Sequence, residues 1–407
     1  MTNNNNLHND LQGAAKLSID AVNGITNLVE ALHRNISGLA PIVGASREGN
    51  TSGITGLVYR SVHAVTNVVG DSLDVALAKL APFMSPNSAD NLTAPSPQRE
   101  AVLAALNGVS GDYLASTGNS LAIPMSLRVN GVRLSTLPAK RKLIIMVHGL
   151  CMNDLQWTKN GHNHGEALAK QFDYGVAYLH YNTGDHISNN GTAFANLLEM
   201  AVKQASSAGS DDIAATEIEE IVLLCHSMGG LVSRSACAYA KQAKHEWLSK
   251  VKKIIFLGTP HHGATLERAG NWADIFLGIS PYAAPFTKLT KIRSAGITDL
   301  RYGNLQTSDW QNKNPETTRD LRTFVPLPAK VDCYFVAATK QPQPPKKNER
   351  LFGDGLVAVK SALGQHQQAA LSLKVPEQNQ LLVYGVDHFE LLCDARVYAG
   401  LVGWLDG

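Results

Sequence analysis

The sequence predicts an α/β fold: a mostly parallel central sheet with helices on both faces, a cap or lid insertion, and an N-terminal helical hairpin ahead of it. Three observations lead there. From about residue 120 onward, short apolar runs alternate with helical patterns. Between Leu257 and Val331 that rhythm breaks for a long interval rich in Trp, Tyr, Phe and Pro. Residues 7–81 instead carry aliphatic side chains at helical spacing.

In chain order, the first unit spans residues 1–81. Ile19, Val22, Ile25, Val29 and Leu32, then Leu57, Val58, Val62, Val65, Val69 and Leu73, recur at the three-to-four-residue interval of a helix face. Pro41 and the glycine-rich stretch to Gly56 divide them into two helices. A short echo, Gly24-Ile25-Thr26 before Leu28-Val29 and Gly53-Ile54-Thr55 before Leu57-Val58, raises the idea of a duplicated helix. Residues 82–119 read as a linker with a short helix, their first half carrying prolines among Ser, Asn and Asp.

The third unit spans residues 120–407. Asn130-Gly131 inside Met125–Leu134 is a hairpin signal, because both residues tolerate the positive φ that a tight two-residue turn requires. Buried strands follow at residues 143–147, 176–179, 221–224, 254–257, 333–337 and 381–384. Their nearly continuous apolar character suits parallel strands covered on both sides. The interval at about 264–330 is far longer than an ordinary connection and reads as the cap or lid, with Trp272, Phe276, Tyr282, Phe286 and Trp310 as its apolar material.

Composition narrows the functional classes. Lys and Arg total 36 against 34 Asp and Glu, with no basic stripe, which argues against a nucleic-acid partner. Five scattered cysteines have neither zinc-site spacing nor disulfide-scaffold density and read as buried thiols. Neither a secretory signal nor an apolar run of membrane-spanning length is evident, so a cytoplasmic location is expected, although export without a cleaved signal would leave the same sequence.

Three stretches carry chemistry. In Ile221-Val222-Leu223-Leu224-Cys225-His226-Ser227-Met228-Gly229-Gly230, an apolar strand runs into a serine with small residues two positions to either side, and a helix follows. Such spacing suits a strained strand-to-helix turn that pushes the hydroxyl out at the carboxyl edge of the sheet. The bland alternative is a serine that merely caps its helix. Leu143–Val147 ends in His148-Gly149-Leu150, and Ile254–Leu257 runs into Gly258-Thr259-Pro260-His261-His262-Gly263. An aspartate between glycines, Asp354, and His388 after the last strand complete the set. On its own Asp354 is equally a turn residue, and Asp332 is a rival at the start of a strand.

Together these motifs resemble the α/β-hydrolase serine esterases, in particular bacterial lipases and lipases similar to the GPI inositol-deacylase, over residues 120–407. Cys225 departs from that pattern, standing where the first glycine of the elbow is usual. The resemblance implies Ser227 as nucleophile, His388 as general base and Asp354 as the acid that orients it. It implies the backbone amides of Leu150 and Met228 as oxyanion donors, with His148, Gly149, His226, Gly229, Gly230 and His261 supporting the loops. No metal and no cofactor are called for. The implied substrate is an ester or lipid-like small molecule, cleaved through an acyl-enzyme. Phospholipase, thioesterase, polyester depolymerase or acyltransferase chemistry would use the same triad, and an inactive hydrolase-fold binding protein is the alternative of another class. The N-terminal helices are candidates for peripheral membrane contact or self-association.

Overall fold

A computed structural model of the chain describes residues 97–207, 217–264, 294–311, 322–345 and 351–406. The expected hairpin at 1–81 and the aromatic residues Trp272, Phe276, Tyr282 and Phe286 lie outside the described residues.

Among the described residues, eight strands form one sheet: β1 (Ser126–Val129), β2 (Val132–Arg133), β3 (Lys142–Val147), β4 (Gly175–His180), β5 (Glu220–His226), β6 (Val251–Leu257), β7 (Asp332–Thr339) and β8 (Gln380–Tyr384). Their order across the sheet is β2-β1-β4-β3-β5-β6-β7-β8. Strands β3 to β8 pair in parallel, and the β1–β2 hairpin joins the β4 edge antiparallel. Asn130 and Gly131, at φ 51° and 76°, make the tight turn between Val129 and Val132.

Alternation along each parallel strand builds two cores from one sheet. Leu143, Ile145, Val147, Leu223, Cys225 and Phe256 face one way, whereas Ile144, Met146, Val222, Leu224 and Ile255 face the other. Both faces are apolar because both are covered by helices, so these strands read as unbroken hydrophobic runs. The helices are α1 (Pro97–Ser116), α2 (His164–Phe172), α3 (Ile187–Ser207), α4 (Met228–Ala243), α5 (Trp247–Lys250), α6 (Ala295–Tyr302), α7 (Ser308–Gln311), α8 (Val359–Ala362) and α9 (Ala395–Asp406). On the first face, Ala105 and Val109 of α1, Phe194 and Leu198 of α3, and Leu231 and Val232 of α4 meet the sheet. Leu168 of α2 and Val397, Leu401 and Leu405 of α9 cover the second.

Helix α1, broken at Ser110 (φ −133°, ψ 17°), occupies most of the stretch expected to hold a linker and short helix. It approaches the sheet on its glycines. A Cβ on Gly108 would collide with Cys151 Sγ, and one on Gly111 with the Asn182 side chain, which donates to Gly111 O at 2.7 Å. Among the described residues, no helix is long and apolar enough to cross a membrane.

The parallel topology decides where chemistry can occur. The segments after β3, β5, β6, β7 and β8 all leave the same carboxyl edge of the sheet. Side chains far apart in sequence meet there.

Candidate active site

Ser227 lies between β5 and α4 at φ 52°, ψ −124°, a region that L-residues other than glycine rarely occupy. Such a conformation costs on the order of 1–3 kcal/mol and persists only where the surroundings enforce it. Here the Ser227 amide donates to Leu257 O of β6 at 2.9 Å, and Gly230 N donates to Ser227 O at 3.1 Å. The Ser227 side chain makes no capping bond to α4, which removes the bland alternative of a helix-capping serine.

The neighbours of Ser227 must be small for identifiable reasons. A Cβ on Gly229 would overlap the carbonyl oxygens of Val147 and His148, and one on Gly230 would overlap Thr259. Cys225 is accommodated although it replaces a glycine. Its Sγ points into the core and donates to Ser233 Oγ at 3.1 Å, one small residue answering another.

The same close approach brings the loop after β3 against the serine. A Cβ on Gly149 would stand 3.0 Å from Ser227 Cβ and 3.3 Å from His226 Nδ1. Among the described hydrogen bonds, the amides of Leu150 and Met228 have no protein acceptor. Tyr181 holds this loop, donating its hydroxyl to His148 O at 2.7 Å and stacking on the His148 ring at 4.5 Å. Thr183 Oγ1 accepts from the Cys151 amide at 3.1 Å. Neither residue was singled out in the sequence, although both follow directly on an apolar strand at the same sheet edge.

His388 and Asp354 form a buried pair, with Nδ1 donating to Oδ2 at 2.7 Å. A carboxylate only accepts, so the Nδ1 position carries a proton. Asp354 is fixed independently, Oδ1 accepting from the amides of Leu356 (2.9 Å) and Val357 (2.8 Å). The two loops are also tied through the backbone, His388 N donating to Asp354 O at 3.2 Å. Asp332, the rival acid, begins β7 at its amino end and pairs in register with Lys253, away from this edge.

The end of β6 touches both the Ser227 turn and the His388 loop. Leu257 accepts from Ser227 N, and the next residue, Gly258, has φ +58° with the His388 ring against it. A Cβ there would lie 3.1 Å from His388 Cε1 and Nδ1. His226 supports the arrangement from beneath. Its Nε2 donates to His388 O at 3.0 Å, and burial followed by the proximity of His388 pushes its pKa well below the usual 6.5. His148 is driven down to about 3 by burial. Both rings are therefore neutral, and of these three histidines His388 is the one paired to a carboxylate. His261 is buried against Phe256 and Phe335, with its amide on Thr259 O at 2.9 Å, and does not reach the Asp354–His388 pair by any described bond.

Of the expected cap, Trp310 is described. It stacks on His186 at 3.7 Å and donates to Ser188 Oγ at 3.0 Å, packing on the start of α3. One further polar cluster went unread in the sequence, because its members come from four segments. Glu100, Asp154 and His180 hold donor atoms within 4.8 Å of one another, a set that could suit a cation. Arg128 already supplies the positive charge, with Nη1 at 2.6 Å from Glu100 Oε2 and 3.4 Å from Asp154 Oδ1. The cluster is an internal salt bridge between α1, β1 and the loop after β3.

An eight-stranded, mostly parallel sheet with a strained serine after its central strand is the fold of the α/β hydrolases. Residues 139–329 match the PGAP1-like alpha/beta domain, in line with the resemblance drawn from the Ser227 and His261 motifs. No curated protein matches the chain. Among solved structures, the mature lipase BlEst2 of Bacillus licheniformis is similar over 69% of this chain and 98% of its own, at 19% identity and a TM-score of 0.41. Lipase B of Aspergillus fumigatus covers 98% of this chain and 85% of its own, at 13% identity and a TM-score of 0.46. A type II thioesterase of a yersiniabactin biosynthetic pathway covers 66% and 94%, at 14% identity and a TM-score of 0.35.

Proposed function

We propose that this chain is a serine carboxylic-ester hydrolase acting on lipid-like acyl esters, with Ser227, His388 and Asp354 as its triad. The observation that carries the reading is the strained backbone of Ser227, held at the sheet edge beside the loop of Gly149 and beside the Asp354–His388 pair. Strain of that kind at an uncapped serine has no structural return, whereas it serves to present a nucleophile.

In this reading, His388 Nε2 takes the proton of the Ser227 hydroxyl as Oγ attacks the ester carbonyl. The negative charge that develops on the carbonyl oxygen faces the amides of Leu150 and Met228, each such donor being worth about 10²–10³ in rate. His388 then passes its proton to the departing alcohol. Water enters, loses a proton to His388, and attacks the acyl carbon, releasing the acid and restoring Ser227. Asp354 stabilises the positive imidazole throughout and keeps its tautomer. The preference for acyl chains rests on the likeness of the Gly258–Gly263 stretch to lipases.

Hydrolysis of p-nitrophenyl esters of short to long acyl chains, by the wild type and by Ser227→Ala, tests the proposal. Turnover by the wild type alone supports it, and the best chain length separates esterase from lipase. Equal turnover by both proteins would remove Ser227 from the reaction.

A further inference from the structure

Arg234 lies on α4 seven residues beyond Ser227 and is 4% exposed. An arginine so buried normally meets a carboxylate, because an isolated charge in the interior costs several kcal/mol. Among the described residues Arg234 meets none. It donates from Nη2 to Val325 O at 2.5 Å and from Nη1 to His261 Nδ1 at 3.4 Å, and its Nε has no partner among them. Burial and the nearby Arg322 lower its pKa to about 10.

His261 completes the imbalance. Because its Nδ1 accepts from Arg234, its proton sits on Nε2, and that buried donor also lacks a partner. His262 cannot compensate, since its Nε2 donates to Gly364 O at 2.9 Å. Burial and the positive field of Arg322 and Arg234 push its own pKa down to about 4. Arg234 and His261, each with one buried N–H that has no partner among the described residues, line one cavity of about 20 Å³ together with Arg322, Thr323 and Val325.

We propose that this cavity is a binding site for a small monovalent inorganic anion of the chloride type. A single water needs roughly 10–15 Å³, so about 20 Å³ leaves room for one monatomic anion against these donors. A halide accepts from several donors at once and supplies the charge that Arg234 lacks. It would tie α4 to the loop after β6 and to the segment at residues 322–325, bracing the loop on which the His388 ring rests.

The test uses the wild-type chain crystallised in bromide, together with thermal unfolding at constant ionic strength in sodium chloride, sodium bromide or sodium gluconate. An anomalous bromide peak between Arg234 and His261, and a melting temperature several degrees higher in either halide than in gluconate, are expected. The halide-dependent rise should vanish in Arg234→Met. A cavity filled only by water with no anomalous peak, or equal melting in halide and gluconate, would overturn the proposal. The diffraction arm does not depend on that variant folding.

Discussion

Asp354→Asn separates a catalytic role for the acid loop from a structural one. The asparagine carbonyl oxygen can keep both bonds from the Leu356 and Val357 amides, so the loop retains its shape. Its NH₂ group then faces His388 Nδ1 at the 2.7 Å position, a donor set against a donor. The imidazole escapes this by moving its proton to Nε2, which removes the lone pair that should deprotonate Ser227. Loss of the correct tautomer costs about 10⁴ in kcat for a serine triad. At about 1.36 kcal/mol per tenfold, that is roughly 5.5 kcal/mol on the barrier. The assay is p-nitrophenyl ester hydrolysis at saturating substrate, with far-ultraviolet circular dichroism and urea unfolding as controls for folding. A variant that folds like the wild type and turns over within tenfold of it would refute the tautomer argument and return Asp354 to the role of a turn residue.

Further expectations concern the loops and the fold. Tyr181→Phe removes the hydroxyl bond to His148 O; kcat should fall about tenfold with KM nearly unchanged, read from steady-state kinetics, because the loop that carries the Leu150 amide loosens. Gly229→Ala should destabilise severely, since its Cβ meets the Val147 and His148 carbonyls, whereas Gly403→Ala in α9 meets nothing and should stabilise by about 0.5–1 kcal/mol, both read from urea midpoints. The fully buried His148, His226 and His261 are neutral in the fold, with pKa values below the ordinary 6.5. The unfolded chain binds their protons below pH 6.5 while the folded chain does not, so their contribution to stability is whole above 6.5 and is lost as pH falls. For His148 the loss continues to about pH 3. Each contributes at most about 1.4 kcal/mol per pH unit, and the urea midpoint should drop between pH 7 and pH 5.

The parallel strands were legible because both faces of each are buried, so Leu143–Val147 and Ile221–Leu224 stand out as unbroken apolar runs. Asn130-Gly131 marked its hairpin because few other residue pairs tolerate two positive φ angles. Ser227, Asp354 and His388 were singled out because each follows a strand, and a parallel sheet sends those strand ends to one edge. Helix α1 was harder to read. It packs through Gly108 and Gly111, where the missing side chains are what matter, and glycine signals a break rather than a docking face. The Arg128 cluster and the uncompensated Arg234 were not legible at all. Their meaning lies in which partners burial brings to them, or withholds, and spacing along the chain carries no trace of that.

The central claim is that Ser227 is an activated nucleophile, and covalent capture tests it most directly. The wild-type chain is treated with a fluorophosphonate, digested, and the adduct located by peptide mass spectrometry, with Asp354→Asn in parallel. The account predicts one phosphonylated peptide containing Ser227, formed far more slowly in the variant. An intact, folded wild type that takes up no label at Ser227 would contradict it and favour a hydrolase-fold binding protein instead.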